Sequence, residues 1–84
     1  MKLQHQFSEN EYIQIYIEQM AEWIVENTDI SIIEIETMMT KHKSEVMEVF
    51  NPFPETIFHF DPSKFAEMLA INWNLIKKPL IQFV

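Results

Sequence analysis

The residues that could perform acid–base or metal chemistry are scattered along this chain. The three histidines, His5, His42 and His59, lie far apart and lack the i, i+4 spacing that places two metal ligands on one helix face. Glu18 and Glu22 do have that spacing, but a catalytic carboxylate pair requires a cleft, and this sequence indicates none. We therefore expect no catalytic residues, no metal site and no cofactor, and we do not expect an enzyme.

The composition excludes several common ligand sites. The 84 residues contain no glycine, no arginine and no cysteine. A chain without glycine cannot form a glycine-rich phosphate loop, and one without cysteine cannot form disulfides or cysteine-ligated zinc sites. The sequence shows no signal peptide, and no apolar run approaches the ~20 residues of a membrane helix. We expect one acidic domain over residues 1–84, located in the cytoplasm and outside any membrane.

Acidic residues outnumber basic ones and are concentrated in the first half of the chain. There are 13 acidic residues against 6 lysines, a formal net charge of −7. No lysine lies between Leu3 and Thr40, where most of the carboxylates are found. This charge argues against a nucleic-acid partner. It either keeps the domain solvated or forms a docking surface for a partner protein with a basic surface, and the sequence leaves both interpretations open.

The first helix is predicted to begin at a capping box. Ser8 and Glu11 have the required spacing, and Phe7 and Tyr12 flank them as a hydrophobic staple. We expect this helix to run to about Glu26. Its apolar residues share one broad face, which we expect to fill the core. They are Tyr12, Ile13, Tyr16, Ile17, Met20, Trp23 and Ile24.

The opposite face of this helix is the predicted partner-binding surface. It consists of Glu11, Ile15, Glu18, Glu22 and Glu26. Ile15 is an apolar residue among carboxylates, which is either an accident of composition or an anchor for a partner. If it is an anchor, the carboxylates would steer a basic partner toward it.

Residues 31–51 carry a helical stripe that opens with a second capping box, Ser31 to Glu34. The stripe has alternating spacings of three and four, and it consists of Ile32, Ile35, Met39, His42, Val46, Val49 and Phe53. Either one helix runs to Phe50, or a turn between Thr40 and Lys43 divides the stretch in two. The heptad-like spacing is compatible with a homodimer.

The divided version of residues 31–51 resembles the helix-turn-helix of bacterial repressors. The residues that carry this resemblance are Ile32, Glu34, Ile35, Val46, Val49, Phe50 and Asn51. The resemblance implies a DNA-binding regulator whose second helix reads DNA. That helix would contain Glu45 and Glu48, and phosphates repel carboxylates, so we expect DNA binding to be weak or absent.

The last third of the chain is predicted to contain one further helix. Asp61 and Pro62 form a typical helix start, and Pro79 is predicted to end the helix. Its inner face would be Phe65, Met68, Leu69, Asn72, Trp73 and Ile76. Residues 56–60 form either a short strand or one apolar turn. If they form a strand, residues 80–84 could pair with them.

These patterns predict an all-α domain of three to four helices, with at most a small two-stranded patch at residues 56–60 and 80–84. The favoured function is stoichiometric: a small acidic protein that binds another protein and inhibits or modulates it. A phage-type inhibitor, an antitoxin and an immunity protein fit this description equally. The alternative is a divergent helix-turn-helix transcriptional regulator.

Overall fold

A computed structural model describes residues 2–51 and 53–76, and these residues form five helices. They are α1 (Glu11–Asn27), α2 (Ile32–Lys41), α3 (Lys43–Glu48), α4 (Pro54–Ile57) and α5 (Pro62–Asn72). The described residues contain no strand. The all-α prediction is confirmed, but the helix count of three to four was too low.

Of the two alternatives for residues 56–60, the short strand is wrong and a turn is present. Pro54–Ile57 forms the single helical turn α4, and the chain continues with local hydrogen bonds from Phe58 N to Pro54 O and from Phe60 N to Ile57 O. These bonds use backbone groups that a neighbouring strand would need. The other half of the proposed pair, residues 80–84, lies outside the described residues.

Helix α1 begins two residues later than the capping box predicted. Its N-cap is Asn10, whose side chain accepts hydrogen bonds from Tyr12 N and Ile13 N. Ser8 instead accepts from Asn10 N, and its own N–H donates to the Gln14 side chain. The staple is also absent, because Tyr12 is 73% exposed. Ser8 and Asn10 are both acceptable N-caps. The hydrogen bond from Ser8 N to the Gln14 side chain favours Asn10 as the cap that is used.

The helical stripe of residues 31–51 is divided at a single residue. The predicted capping box of Ser31 and Glu34 is present in both directions, and α2 ends at Lys41. His42 has φ −107° and ψ 35°, and α3 starts at Lys43 without a side-chain cap. Ile35, Met39 and Val46 are fully buried in the core of the same chain. The homodimer stays a prediction, but these three stripe residues are already covered within the monomer.

Helix α5 begins as predicted and ends early. Asp61 caps it and Pro62 occupies its first turn. Asn74 adopts φ 60°, Leu75 N donates to Ala70 O at 2.8 Å, and Asn74 N donates to Ile71 O at 3.1 Å. This is a Schellman motif, in which a left-handed residue stops the helix. The predicted stop, Pro79, lies outside the described residues.

The inner face of α5 also differs from the prediction. Ala66, Leu69 and Ala70 are buried, whereas Met68 and Asn72 are exposed. The two alanines allow α5 to lie close to α1, which packs against both α5 and α2. Large residues on neighbouring elements fill the remaining space.

A segment that we call the strap, residues 2–8, lies against α1 and contributes two side chains to the core. Leu3 and Phe7 are buried. The core consists of Leu3, Phe7, Ile13, Tyr16, Ile17, Met20, Ala21, Ile24, Ile35, Met39, Val46, Phe50, Ala66, Leu69 and Ala70. None of the helices in the described ranges is long and apolar enough to cross a membrane.

Candidate protein-binding surface

The outward side of α1 carries the five residues predicted to bind a partner. Glu11, Ile15 and Glu26 are exposed, whereas Glu18 and Glu22 are half-buried. The five positions therefore lie on one side of the helix, as their spacing requires, but they differ in how far they are available to a partner.

Two of the four carboxylates on this face already have contacts within the chain. Glu18 Oε2 accepts a hydrogen bond from Leu3 N at 2.9 Å, which attaches the strap to α1. Glu22 is also engaged in an interaction, and it lines a shallow cavity with Glu26 beside the start of α5. The two carboxylates that remain exposed on this face are Glu11 and Glu26, at opposite ends of α1.

The strap forms the wall of a cleft beside this face. Its backbone N–H groups donate to side chains rather than to another backbone: His5 N donates to Glu36 Oε2 at 2.7 Å and Phe7 N to Gln14 Oε1 at 2.7 Å. The cleft between the strap and α1 has a volume of about 550 Å³. It is lined by Lys2, Leu3, Gln4, His5, Gln6, Ser8, Glu9, Glu11, Gln14, Ile15 and Glu18.

Ile15 lies at the edge of this cleft and is 52% exposed. It is the apolar residue that the sequence placed among carboxylates, and the structure leaves about half of its side chain in contact with solvent. The opposite face of α1 fills the core without it.

Tyr12 is a surface residue that the sequence analysis missed. It was predicted to lie on the buried face, but its ring is exposed and lies 6.2 Å from the ring of Phe58, which is also exposed. Tyr12 and Ile15 are i, i+3 neighbours on the same helix surface. The signal in the sequence was the position of Tyr12 at the edge of the apolar arc, in the first turn of the helix.

Tyr16 lies one turn below Tyr12 and is buried. Its hydroxyl donates to Phe60 O at 3.0 Å, and its ring packs edge-on against Phe50. Burial of the hydroxyl, assisted by the negative charge of Asp61, raises the pKa of Tyr16 to about 12. This hydrogen bond attaches the segment after α4 to α1 and so positions the aromatic flank of the surface.

Asp61 has a separate structural role. Hydrogen bonds from Ser63 hold the pKa of the Asp61 carboxyl below its usual value, because they stabilise the ionised form. Its Oδ1 accepts from Ser63 N at 2.9 Å, as expected of an N-cap. The carboxylate therefore belongs to the start of α5 and not to the partner surface.

A second cluster of polar side chains lies where α2, α3 and the end of α5 meet. The Glu45 carboxylate contacts His42 Nδ1 at 3.0 Å and accepts from Trp73 Nε1 at 3.2 Å. The imidazole and indole rings are stacked, with centroids 5.2 Å apart. This closed arrangement joins the break at His42 to the end of α5, and we assign it a structural role.

Metal binding finds no support in the part of the chain that the structure describes. No group of three or more histidine, aspartate or glutamate side chains is close enough together to hold an ion among residues 2–51 and 53–76. His5, His42 and His59 lie in separate parts of the fold: on the strap, at the break between α2 and α3, and after α4.

Comparisons with known proteins give no family for this chain. No family model, no curated protein and no solved structure matches it.

Proposed function

We propose that this protein binds another protein stoichiometrically through the outward side of α1 and thereby inhibits or modulates it. The observation that carries this proposal is the exposure of Tyr12 and Ile15, next to each other on a helix whose opposite face already completes the core. Aromatic residues such as tyrosine are enriched at protein interfaces, where a polar rim surrounds an apolar centre.

The two residues would contribute different parts of the binding energy. Burying the exposed half of Ile15 would stabilise a complex by about 1 kcal/mol. Tyr12 offers a larger surface, and its hydroxyl can make a hydrogen bond at the edge of the contact. The monomer core requires neither residue. Binding to a partner would therefore explain why a tyrosine and an isoleucine occupy these exposed positions.

The negative charge of this surface would set the association rate and would favour a basic partner. The exposed carboxylates Glu9 and Glu11 lie near the two anchors, Glu26 is exposed at the far end of α1, and the whole chain carries a formal net charge of −7. Such a surface attracts a basic partner over distances of about the Debye length, ~8–10 Å at physiological salt. We expect the association rate to fall steeply as salt is added.

A phage-type inhibitor, an antitoxin and an immunity protein are three settings in which a small binding protein acts in this way. Each acts by occupying a surface of its target, so none needs a catalytic group. The surface described here fits all three, and identification of the partner would decide among them.

DNA-binding regulation is the alternative, and the division of residues 31–51 at His42 is the observation that favours it. However, repressor-type helices are joined by a turn of three or four residues, whereas α2 and α3 are separated by His42 alone. Glu45 and Glu48 are exposed on α3. A specific gel shift at low salt, abolished by replacing Lys41 and Lys43 with glutamate, would restore this alternative.

The proposal is tested by isolating the complex and changing one anchor at a time. The tagged protein is used to capture partners from the cells that naturally contain it, and the complex is sized by light scattering. Ile15→Asp should abolish a complex of fixed stoichiometry. Ile33→Asp is the matched control, because Ile33 is 78% exposed, belongs to α2 and does not line the cleft beside α1. A complex that survives Ile15→Asp and Tyr12→Ala, or is lost equally in Ile33→Asp, contradicts the proposal.

A further inference from the structure

We infer that the cleft between the strap and α1 receives a long basic side chain from the protein that docks on α1. This inference rests on the proposed function and specifies the chemistry of its partner: a lysine or arginine whose aliphatic stem lies on Ile15 and whose charged group enters among carboxylates.

The charge of the cleft selects a cation. Glu9, Glu11 and Glu18 supply three carboxylates, and Lys2 supplies the one ammonium among the described residues that line it. One oxygen of the Glu18 carboxylate already accepts a hydrogen bond from Leu3 N. The carboxylates of Glu9 and Glu11 make no hydrogen bond or ion pair with any residue in the described ranges, so they are available to a cation.

The apolar part of the cleft selects a side chain with a long stem. Ile15 lines the cleft together with Glu9 and Glu11, and about half of its surface is exposed. Lysine and arginine cover apolar surface with their methylene groups while the charged end stays among polar groups. A partner side chain of this kind accounts for an apolar residue in an acidic face, since the same ligand contacts both.

An unpartnered polar atom on one of the lining residues is compatible with a ligand that carries several N–H groups. His5 lines the cleft, and its Nε2 is buried without a hydrogen-bond partner in the described chain. A neutral imidazole nitrogen can accept from an N–H. A planar guanidinium has five such donors in a fixed arrangement, so it suits the site better than an ammonium.

The volume of the cleft is consistent with this occupant. At about 550 Å³, it lies within the range of ≈ 300–1,000 Å³ typical of small-molecule sites. The cleft accommodates a side chain together with part of the backbone that carries it. A basic segment of a partner fits this space, and an anionic ligand is repelled from it.

The inference is tested without the partner, by nuclear magnetic resonance titration of the whole protein. The probes are n-butylguanidinium, its neutral analogue n-butylurea, and guanidinium without a stem. We expect n-butylguanidinium to shift the amide signals of Leu3, Glu11 and Ile15 in a saturable manner. Neither n-butylurea nor guanidinium should do so at the same concentration.

Variants locate the contact. Glu11→Gln should weaken binding of n-butylguanidinium about two- to fivefold, the range expected for one exposed ion pair. Glu55→Gln is the matched control, because Glu55 is an exposed carboxylate on α4 that does not line the cleft. Equal weakening in both variants, equal shifts with n-butylurea, or shifts centred on another acidic surface would overturn the inference.

The outcomes separate this inference from the proposed function. If the cleft binds n-butylguanidinium but no protein complex depends on Ile15, the cleft assignment stands and the proposed function fails. If a complex depends on Ile15 but the cleft discriminates none of the probes, the proposed function stands and the basic side chain is wrong.

Discussion

The buried hydroxyl of Tyr16 should make the stability of this protein fall in strongly alkaline solution. Its pKa is raised from 10.0 to about 12, because burial disfavours the phenolate and Asp61 adds a negative charge nearby. Between these two values the unfolded chain loses the proton while the folded chain keeps it. The folded form therefore binds more protons, and the free energy of unfolding decreases as pH rises. Below pH 10.0 the full contribution is present.

The decrease in the free energy of unfolding follows from the shift in the pKa of Tyr16. Two pH units correspond to about 2.7 kcal/mol, since one unit is 1.36 kcal/mol. Tyr16 is only 5% exposed, but its hydroxyl donates a hydrogen bond to the backbone carbonyl of Phe60, which is an exposed residue. A midpoint of about 12 in the folded protein therefore corresponds to a loss of up to about 2.7 kcal/mol, and hydration of the hydroxyl would lower the midpoint and the loss together.

The chain allows this titration to be measured for one residue, because it contains only two tyrosines. In a Tyr12→Phe variant, the ultraviolet absorbance of tyrosinate reports Tyr16 alone. We expect a midpoint near pH 12 for the folded protein and near 10 in concentrated urea. A folded-state midpoint near 10 would refute the reasoning, since it would mean that the hydroxyl is hydrated. Tyr16→Phe should remove this contribution to alkaline destabilisation and cost about 1 kcal/mol at neutral pH through the lost hydrogen bond.

Three further changes test the fold. Asn74→Ala should destabilise by about 1–2 kcal/mol and Asn74→Gly should not, because the left-handed φ of 60° disfavours residues with a Cβ other than asparagine and aspartate, whose short polar side chains tolerate it. Thermal unfolding that ranks the two variants otherwise contradicts the Schellman stop. Glu45→Ala should cost about 0.5–1 kcal/mol and shift the indole N–H resonance of Trp73, since that carboxylate is its acceptor; an unchanged resonance would mean that the contact is absent in solution. Phe7→Ala should lower the free energy of unfolding in urea by about 3–5 kcal/mol, because the Phe7 ring is buried. Phe53→Ala is the control and should change stability by less than about 0.5 kcal/mol, because the Phe53 ring is exposed. Equal effects of the two substitutions would show that the strap is not docked.

Helix starts with a single strong signal were predictable from the sequence. Two helix starts are of this kind: Ser31 with Glu34, and Asp61 with Pro62. Each cap is formed by residues within one turn of the chain, so the short sequence pattern that predicts the cap also contains the residues that make it. The start of α1 was predicted at the wrong residue because Ser8 and Asn10 are both acceptable caps. Gln14 decides between them by accepting hydrogen bonds from Phe7 N and Ser8 N.

The sequence by itself determined that the chain is helical and that α1 has an acidic outward face containing Ile15. Both properties follow from local periodicity, which does not depend on the rest of the fold. Only the tertiary structure decided which residues on that face are available. Glu18 is occupied because the strap lies against α1, and Tyr12 is exposed because the residues packed against α1 leave that edge uncovered. Contacts between segments distant in the chain set these outcomes, and the spacing within one helix carries no information about them.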